Sequence, residues 1–366
     1  MTDEGQRTST VPTAGVTPSR GTSAYALKVA PPAVATPPTT EPLGPEEKGP
    51  WTRGLLVRLL LRNALIMTLL LIAVGFGVIN PHFATLGNAS TLGIELSAMA
   101  LLTFGEAGVL LTAGIDLSVG SIAGFSGVMA AEVLTHGGNF AEALVCAIVI
   151  GGAVGLVNGG LTAYAGIPAF IVTLGTMSAV LSAAYIISVG EPVMSTNLAF
   201  LALTTHNWLA VPIVVWITVV LFLVWWGVLA RTSYGTHVYA VGGNQLAARL
   251  AGVRVKRVIT SVYVVSGLLA GLAGVILASE STAGIATTGS GYELNAIAGG
   301  VIGGVSLFGG RGKMWGAAIG ILMITMLTNG MSVLNVSEFC QGLATGALIV
   351  FAVFMDGLYL KVFGEK

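Results

Sequence analysis

The sequence predicts an all-α fold: a polytopic transmembrane helical bundle of about ten spans with both termini in the cytoplasm. Three observations predict it. The chain is 54% hydrophobic and only 9% charged, with a mean hydropathy of +0.88, whereas soluble domains carry roughly 25% charged residues. Apolar stretches long enough to cross a hydrocarbon layer of ~30 Å recur from Trp51 to the C-terminus. All sixteen Lys and Arg residues fall into loops that alternate spans place on one side, as lysines and arginines retained in the cytoplasm do.

Residues 1–50 are rich in Thr, Pro, Ala and Ser, with runs such as PPAVATPPTT from Pro31 to Thr40. They hold too little apolar sequence to fold alone and are expected to form a disordered cytoplasmic tail. They lack the basic start, short apolar run and small-residue cleavage site of a signal peptide, so the first span is expected to be an uncleaved anchor. The membrane domain is expected over residues 51–366, with spans at 63–80, 91–113, 115–134, 140–164, 167–189, 209–229, 259–280, 293–310, 314–334 and 338–359. The second and third are nearly continuous and the eighth is short and interrupted by glycine, which marks each as a candidate broken or re-entrant helix. Seven basic residues precede the first span, five lie from Arg231 to Arg257, Arg311 and Lys313 follow the eighth, and Lys361 and Lys366 end the chain. Losing one span between Arg62 and Arg231 would put the five-residue cluster outside.

The 51 glycines suit a bundle whose helices approach through small residues, since association in lipid rests on packing and not on hydrophobic exclusion. Four-residue spacing recurs at Gly151, Gly155 and Gly159, at Gly267 and Gly271, at Gly299 and Gly303, and at Gly316 and Gly320. The triple is the strongest contact signal. Cys146 and Cys340 lie in apolar stretches and read as small core residues, with neither disulfide nor metal spacing.

Enzyme motifs are lacking. GGRGK from Gly309 to Lys313 has Leu307 and Met314 where a phosphate loop needs Gly and Ser or Thr. His82, His136, His206 and His237 stand apart from one another, so no metal site is expected. The chain reads as a non-enzyme; if ATP drives it, another subunit binds the nucleotide.

Intramembrane polar residues carry more. A charge at the bilayer centre costs roughly 2.5–3.5 kcal/mol on insertion scales, so Glu95, Glu106 and Asp116 lie near span ends, pair within the bundle, or line water. In GIDLSVGS, Gly114–Ser121, Gly114 is placed to end one helix while Asp116 or Ser118 caps the next; a structural cap is the plain reading of Asp116. Glu106 has no local partner in the sequence, and Asn158 and Asn329 are mid-span amides that must find partners or glue helices. In the segment from Tyr234 to Arg257, Gly242 and Gly243 allow a sharp turn, after which Asn244 is placed to cap a short helix, QLAARLAGV. That helix suits docking on a soluble partner or lying on the anionic inner leaflet.

GIDLSVGS, IPAFIVTLGTM from Ile167, YAVGGNQLAARLAGV from Tyr239, GYELNAIAGGVIGGVSLFGGRG from Gly291 and TNGMSVLNV from Thr328 together closely resemble the permease subunits of ribose- and xylose-type sugar ABC importers. In order, they cover the chain from about Leu92 to Tyr359. The resemblance implies a ten-helix inner-membrane permease that pairs with a second permease copy. It implies a partner ATPase, holding ATP and Mg, and a periplasmic solute-binding protein that delivers the sugar; no nucleic acid is implied. It also implies a coupling helix within Gly242–Arg254, for which Gly242, Gly243, Asn244, Ala247, Ala248, Arg249, Gly252 and Arg254 are the candidates. The chain departs from the family pattern at Thr236 and His237, where many relatives carry a basic residue and an aromatic. Asn295 replaces the frequent Asp after Glu-Leu, while Glu293 is retained, and Gly299 and Gly300 replace bulkier residues.

A neutral, hydroxylated sugar needs hydrogen-bonding side chains without fixed charge, and Ser118, Asn158, Thr173 and Asn329 are the path candidates. Asp116, Glu106 and Glu293 are structural candidates. An ion-coupled secondary transporter, which uses broken helices and intramembrane carboxylates such as Glu106, and a noncatalytic membrane scaffold are the rival classes. A polyol, nucleoside or furanone cargo is the alternative within the same assembly.

Overall fold

In a computed structural model of the chain, the described residues are 51–337, 339–348, 350 and 354, with side chains from Leu65 onward. The expected tail and the last two lysines lie outside them. Helices α1 (Trp51–Ile79), α2 (Leu86–Leu111), α3 (Val119–Thr135), α4 (Phe140–Gly160) and α5 (Ala169–Ile187) come first. They are followed by α6 (Leu198–Thr205), α7 (Ile213–Arg231), α8 (Ser233–Gly243), α9 (Gln245–Leu250), α10 (Val255–Glu280), α11 (Tyr292–Ile302) and α12 (Met314–Val333). The described positions of 339–354 are helical as well. The only strands among the described residues are four short ones, in two antiparallel pairs. β1 (Val193–Met194) pairs with β4 (Ala283–Gly284) in the register Val193 opposite Gly284, and β2 (Asn207–Trp208) pairs with β3 (Val211–Pro212).

Local chemistry sets the helix starts. Asn80 accepts from the His82 N–H and opens the 3₁₀ turn Pro81–Ala84, and Thr85 caps α2 through the Asn88 N–H. Asn139 and Glu142 form a reciprocal capping box at α4, each side chain accepting from the other's backbone N–H at 3.0 Å. A π-helical turn, Leu161–Ala165, continues α4 until Gly166 ends it in the left-handed conformation.

Six helices among the described residues are long and apolar enough to cross a membrane: α2, α4 with its π turn, α5, α7, α10 and α12. The expected spans at 115–134 and 293–310 are shorter. At ~1.5 Å per residue, the 17 residues of α3 and the 11 of α11 reach about 25 and 16 Å, below the ~30 Å of a hydrocarbon core. The region 293–310 does not form one span: α11 ends at Ile302, and Gly304, Gly309 and Gly310 adopt positive φ to turn the chain. Likewise 111–118 is not a simple helix junction. α2 ends at Leu111, and the left-handed residue after it is Ala113, with φ +61°, not Gly114.

α2 and α10 lie at the centre of the bundle, packed on each other, with α3, α4, α11 and α12 around them. All four glycine spacings are helix contacts. Gly151 and Gly155 bring α4 onto the α10 backbone at Gly267 and Tyr263, and Gly159 meets Thr260. On the other flank Gly299 packs on Ile321, Gly303 on Gly316, and Gly320 on the Gly299 carbonyl, joining α11 to α12. Trp225 of α7 reaches into the centre and donates its Nε1–H to the Phe104 carbonyl at 3.0 Å.

The seven basic side chains described, from Arg231 to Lys313, gather at one end of the bundle. There the ends of α7 and α2, α8, α9, the start of α10 and the loop after α11 converge. No Lys or Arg occurs between Arg62 and Arg231.

Candidate functional site

The break between α2 and α3 is held by a buried polar group drawn from four helices and the connecting loop. Ala113 turns the chain back, and Gly114 follows where a Cβ would stand 2.6 Å from the Tyr263 hydroxyl. The Ile115 carbonyl accepts from Tyr263 Oη–H and from Thr173 Oγ1–H, both at 3.3 Å. The Asp116 N–H donates to Glu106 Oε1 at 3.2 Å. Asp116 Oδ1 accepts from the Ser118 N–H at 3.0 Å and the Ser118 hydroxyl at 2.6 Å, and Oδ2 accepts from Ser266 at 3.4 Å. Asn158 completes the group by donating Nδ2–H to Ser118 Oγ at 2.8 Å. Non-helical backbone at membrane depth persists only where protein or water satisfies it, and here the protein does. Ser118 is the residue before α3 and its side chain does not cap the helix; Asp116 accepts the Ser118 N–H and so fixes the turn that leads into α3.

Glu106 and Asp116 are fully buried, and no basic side chain pairs with either among the described residues. Glu106 Oε2 and Asn158 Oδ1 are buried without a hydrogen bond. Three of the four expected path residues, Ser118, Asn158 and Thr173, thus belong to one closed group. Asn329 stands apart: it donates to Glu95 Oε2 at 3.4 Å and accepts from Asn88 Nδ2–H at 2.9 Å, tying α12 to the first half of α2. Glu293 lies against Gly120 at the start of α3, and its Oε1 accepts from the Gly291 N–H at 3.2 Å. Tyr263 and Ser266 escaped the sequence reading, because nothing within α10 distinguishes them from ordinary polar residues of a membrane helix.

At the basic end the expected short helix forms as α9, ending at Leu250, but the turn falls at Asn244 and not at Gly242 and Gly243, which are the last residues of α8. Asn244 accepts from the Ala247 N–H at 2.9 Å and caps α9, and Gly252, at φ +85°, ends it. Gly242 abuts the Leu111 carbonyl, which also accepts from the Gly310 N–H at 3.0 Å, while Gly310 packs on Gly243. Tyr239 donates to the Gly312 carbonyl at 3.0 Å, and burial pushes its phenol up, which keeps it a donor. Ala248 is buried as the foot of α9; Ala247, Arg249 and Arg254 are exposed, with Leu246 66% and Leu250 81% exposed. Leu246 and Leu250 thus stand open beside the exposed Arg249.

The described residues thus form a multi-helix bundle with six helices able to cross a membrane, a buried helix break between α2 and α3, and a short exposed helix at the basic end. Residues 88–353 match the family described as branched-chain amino acid transport system / permease component, and the chain belongs to that family of multi-pass inner-membrane permeases. It is 38% identical to the ribose import permease protein of Escherichia coli (strain K12) over 80% of this chain and 92% of that one. It is 35% identical to the D-allose transport system permease protein and 37% identical to the L-arabinose transport system permease protein of the same strain. Each match covers 80% of this chain, and 90% and 89% of the relatives. No solved structure matches the chain.

Proposed function

We propose that the chain is the permease subunit of an ATP-driven importer that passes a monosaccharide of the ribose or xylose class from a periplasmic binding protein to the cytoplasm. The family description speaks of amino acids, but the relatives matched over nearly their whole length carry sugar names, and they support a sugar. The observation that carries the mechanism is α9, capped by Asn244, footed by Ala248, and carried on α8, whose Gly242 sits on the end of α2. In this reading α9 is the coupling helix. A separate ATPase binding ATP and Mg grips Leu246, Arg249 and Leu250, and its closure tilts one permease copy against another.

Ten spans with both termini cytoplasmic fit this reading, because the basic end then faces the cytoplasm. The copies form a homodimer, for which the open apolar faces of α4 and α5, including Val149, Leu156, Phe170 and Leu174, offer surface. α5 is the least enclosed of the six long helices. Its movement would open the Ser118, Asn158 and Thr173 group to the sugar, with Asn329 further along the path.

The Glu106–Asp116 pair, carboxylates without a basic partner, favours the second reading, an ion-coupled transporter. One assay separates them: uptake of labelled ribose, xylose, galactose and inositol into proteoliposomes holding the chain, its ATPase and its binding protein, with Arg249→Glu alongside. Uptake that needs ATP and fails in Arg249→Glu supports the importer. Uptake driven by an ion gradient without ATPase overturns it.

A further inference from the structure

The second helix break, residues 285–291 between β4 and α11, has no role in the mechanism above. It is buried on one side only. Beyond β4 the chain runs down α3, with Gly284 against Val128, Ala286 against Gly124 and Gly289 against Gly120. From Val128 to Gly120 is roughly 12 Å of helix. The bottom of this descent adjoins Ser118, whose partner Asp116 bonds Ser266 near the middle of α10. The segment therefore penetrates to about the middle of the bilayer. There it turns in tight steps, Thr288 N–H to the Ile285 carbonyl at 3.2 Å and Ser290 N–H to the Thr287 carbonyl at 2.9 Å, before Gly291 starts α11 at φ +86°.

Its other side is open. Thr287, Ser290 and Gly291 are exposed and Glu293 is half-exposed. The hydroxyls of Thr287 and Ser290 make no hydrogen bond among the described residues. The exposed hydroxyls on α5 differ: Ser178 and Ser182 donate to carbonyls one turn back, at 3.3 and 2.8 Å, and so are satisfied against lipid. Irregular backbone with unpaired hydroxyls and a carboxylate cannot face hydrocarbon. At that depth it must line water or lie against protein.

We propose that residues 285–291, with Glu293, form a wall of the water-filled path and contact the hydroxyl groups of the transported sugar. Thr287 and Ser290 donate and accept, and Glu293, whose Oε1 takes the Gly291 N–H and whose Oε2 lies against Gly120, holds this turn in position. This rests on the importer reading for the identity of the cargo, but not for the presence of water.

The test is thiol accessibility in the reconstituted assembly. Thr287→Cys and Ser290→Cys are each made with Cys146→Ala and Cys340→Ser, and treated with a charged, membrane-impermeant methanethiosulfonate. Leu71→Cys, on the open apolar face of α1, is the lipid control. Because a thiol in apolar surroundings is held in its unreactive form, the path positions should react roughly tenfold faster or more than Leu71→Cys. Whichever of ribose, xylose, galactose or inositol the parent takes up should slow them. Reactivity as low as that of Leu71→Cys overturns the proposal, since lipid or a second copy then covers the segment. Fast reaction that a transported sugar leaves unchanged overturns the sugar contact. Fast reaction in an assembly with no ATP-dependent uptake supports the water path while removing the importer reading. Glu293→Gln should raise the KM for uptake more than it lowers kcat.

Discussion

Gly151→Ala tests the contact on which the bundle's centre depends. A Cβ there would stand 3.0 Å from the Gly267 carbonyl carbon and 3.0 Å from the Gly271 nitrogen, and closer still to the Gly267 oxygen. Carbon atoms pack best at about 3.5–4.0 Å, and the obstacle is backbone, which cannot rotate aside. α4 must withdraw from α10 by the better part of an ångström, and a gap of 0.5–1 Å forfeits roughly a quarter to a half of each contact's attraction. The expected cost is that of overpacking, about 1–3 kcal/mol, or an apparent Tm lower by about 2–6 °C. Gly160→Ala is the control, because it lies on the same helix with nothing within 4 Å of an added Cβ. There alanine should be neutral or stabilising by up to about 1 kcal/mol, through helix propensity. The assay is thermal unfolding in detergent read by size-exclusion fluorescence, both variants side by side. Equal stability of the two would refute the account of α4 and α10 as backbone-to-backbone neighbours.

Asp116→Ala removes the acceptor of the Ser118 N–H and hydroxyl, leaving buried donors unpaired at about 1–3 kcal/mol each; Asp116→Asn keeps one oxygen and should cost less in the same thermal assay. Trp225→Phe takes away the donor to the Phe104 carbonyl and should lower stability by about 1 kcal/mol, with intrinsic fluorescence reporting whether α7 stays seated. Asn244→Ala deletes the α9 cap, worth about 1 kcal/mol. It should leave the thermal stability of the bundle nearly unchanged while weakening co-purification of the ATPase, and undiminished co-purification would count against α9 as its docking helix.

Much of the bundle was legible because membrane sequences write their contacts in residue size. Gly151, Gly155 and Gly159, and the pairs at Gly299 and Gly316, marked contact faces, since in lipid small residues let backbones touch; that α4 meets α10 and α11 meets α12 is seen only in the fold. Asn244 was readable as a cap for the same local reason that any short polar side chain before an apolar turn is. The sequence marks the eighth span, 293–310, as short and interrupted by glycine, but overstates its length because apolar residues continue past Ile302. The turn signal lay in Gly304, Gly309 and Gly310, whose positive φ overrides hydropathy. At the first break the expectation put the helix end on Gly114, but Ala113 takes the left-handed position, and Gly114 is needed where Tyr263 arrives from α10. That neighbour is 149 residues away in the chain, beyond the reach of any local pattern. The polar group around Asp116 was half visible for this reason: its α2–α3 members sit in one motif, while Tyr263 and Ser266 come from afar.

The seat of α8, which carries α9, has a mechanical consequence. Gly242 on the Leu111 carbonyl, Gly310 bonded to that same oxygen, and Gly310 on Gly243 are contacts of main chain on main chain. No flexible side chain stands between them to absorb a displacement. In the proposed importer, a load applied at α9 would pass through the last turn of α8, as through a pushrod on its seat, to the end of α2 and the loop after α11. The end of α2 leads into the first helix break, and the loop after α11 is one short helix away from the second, so in that reading both breaks lie close to the same joint.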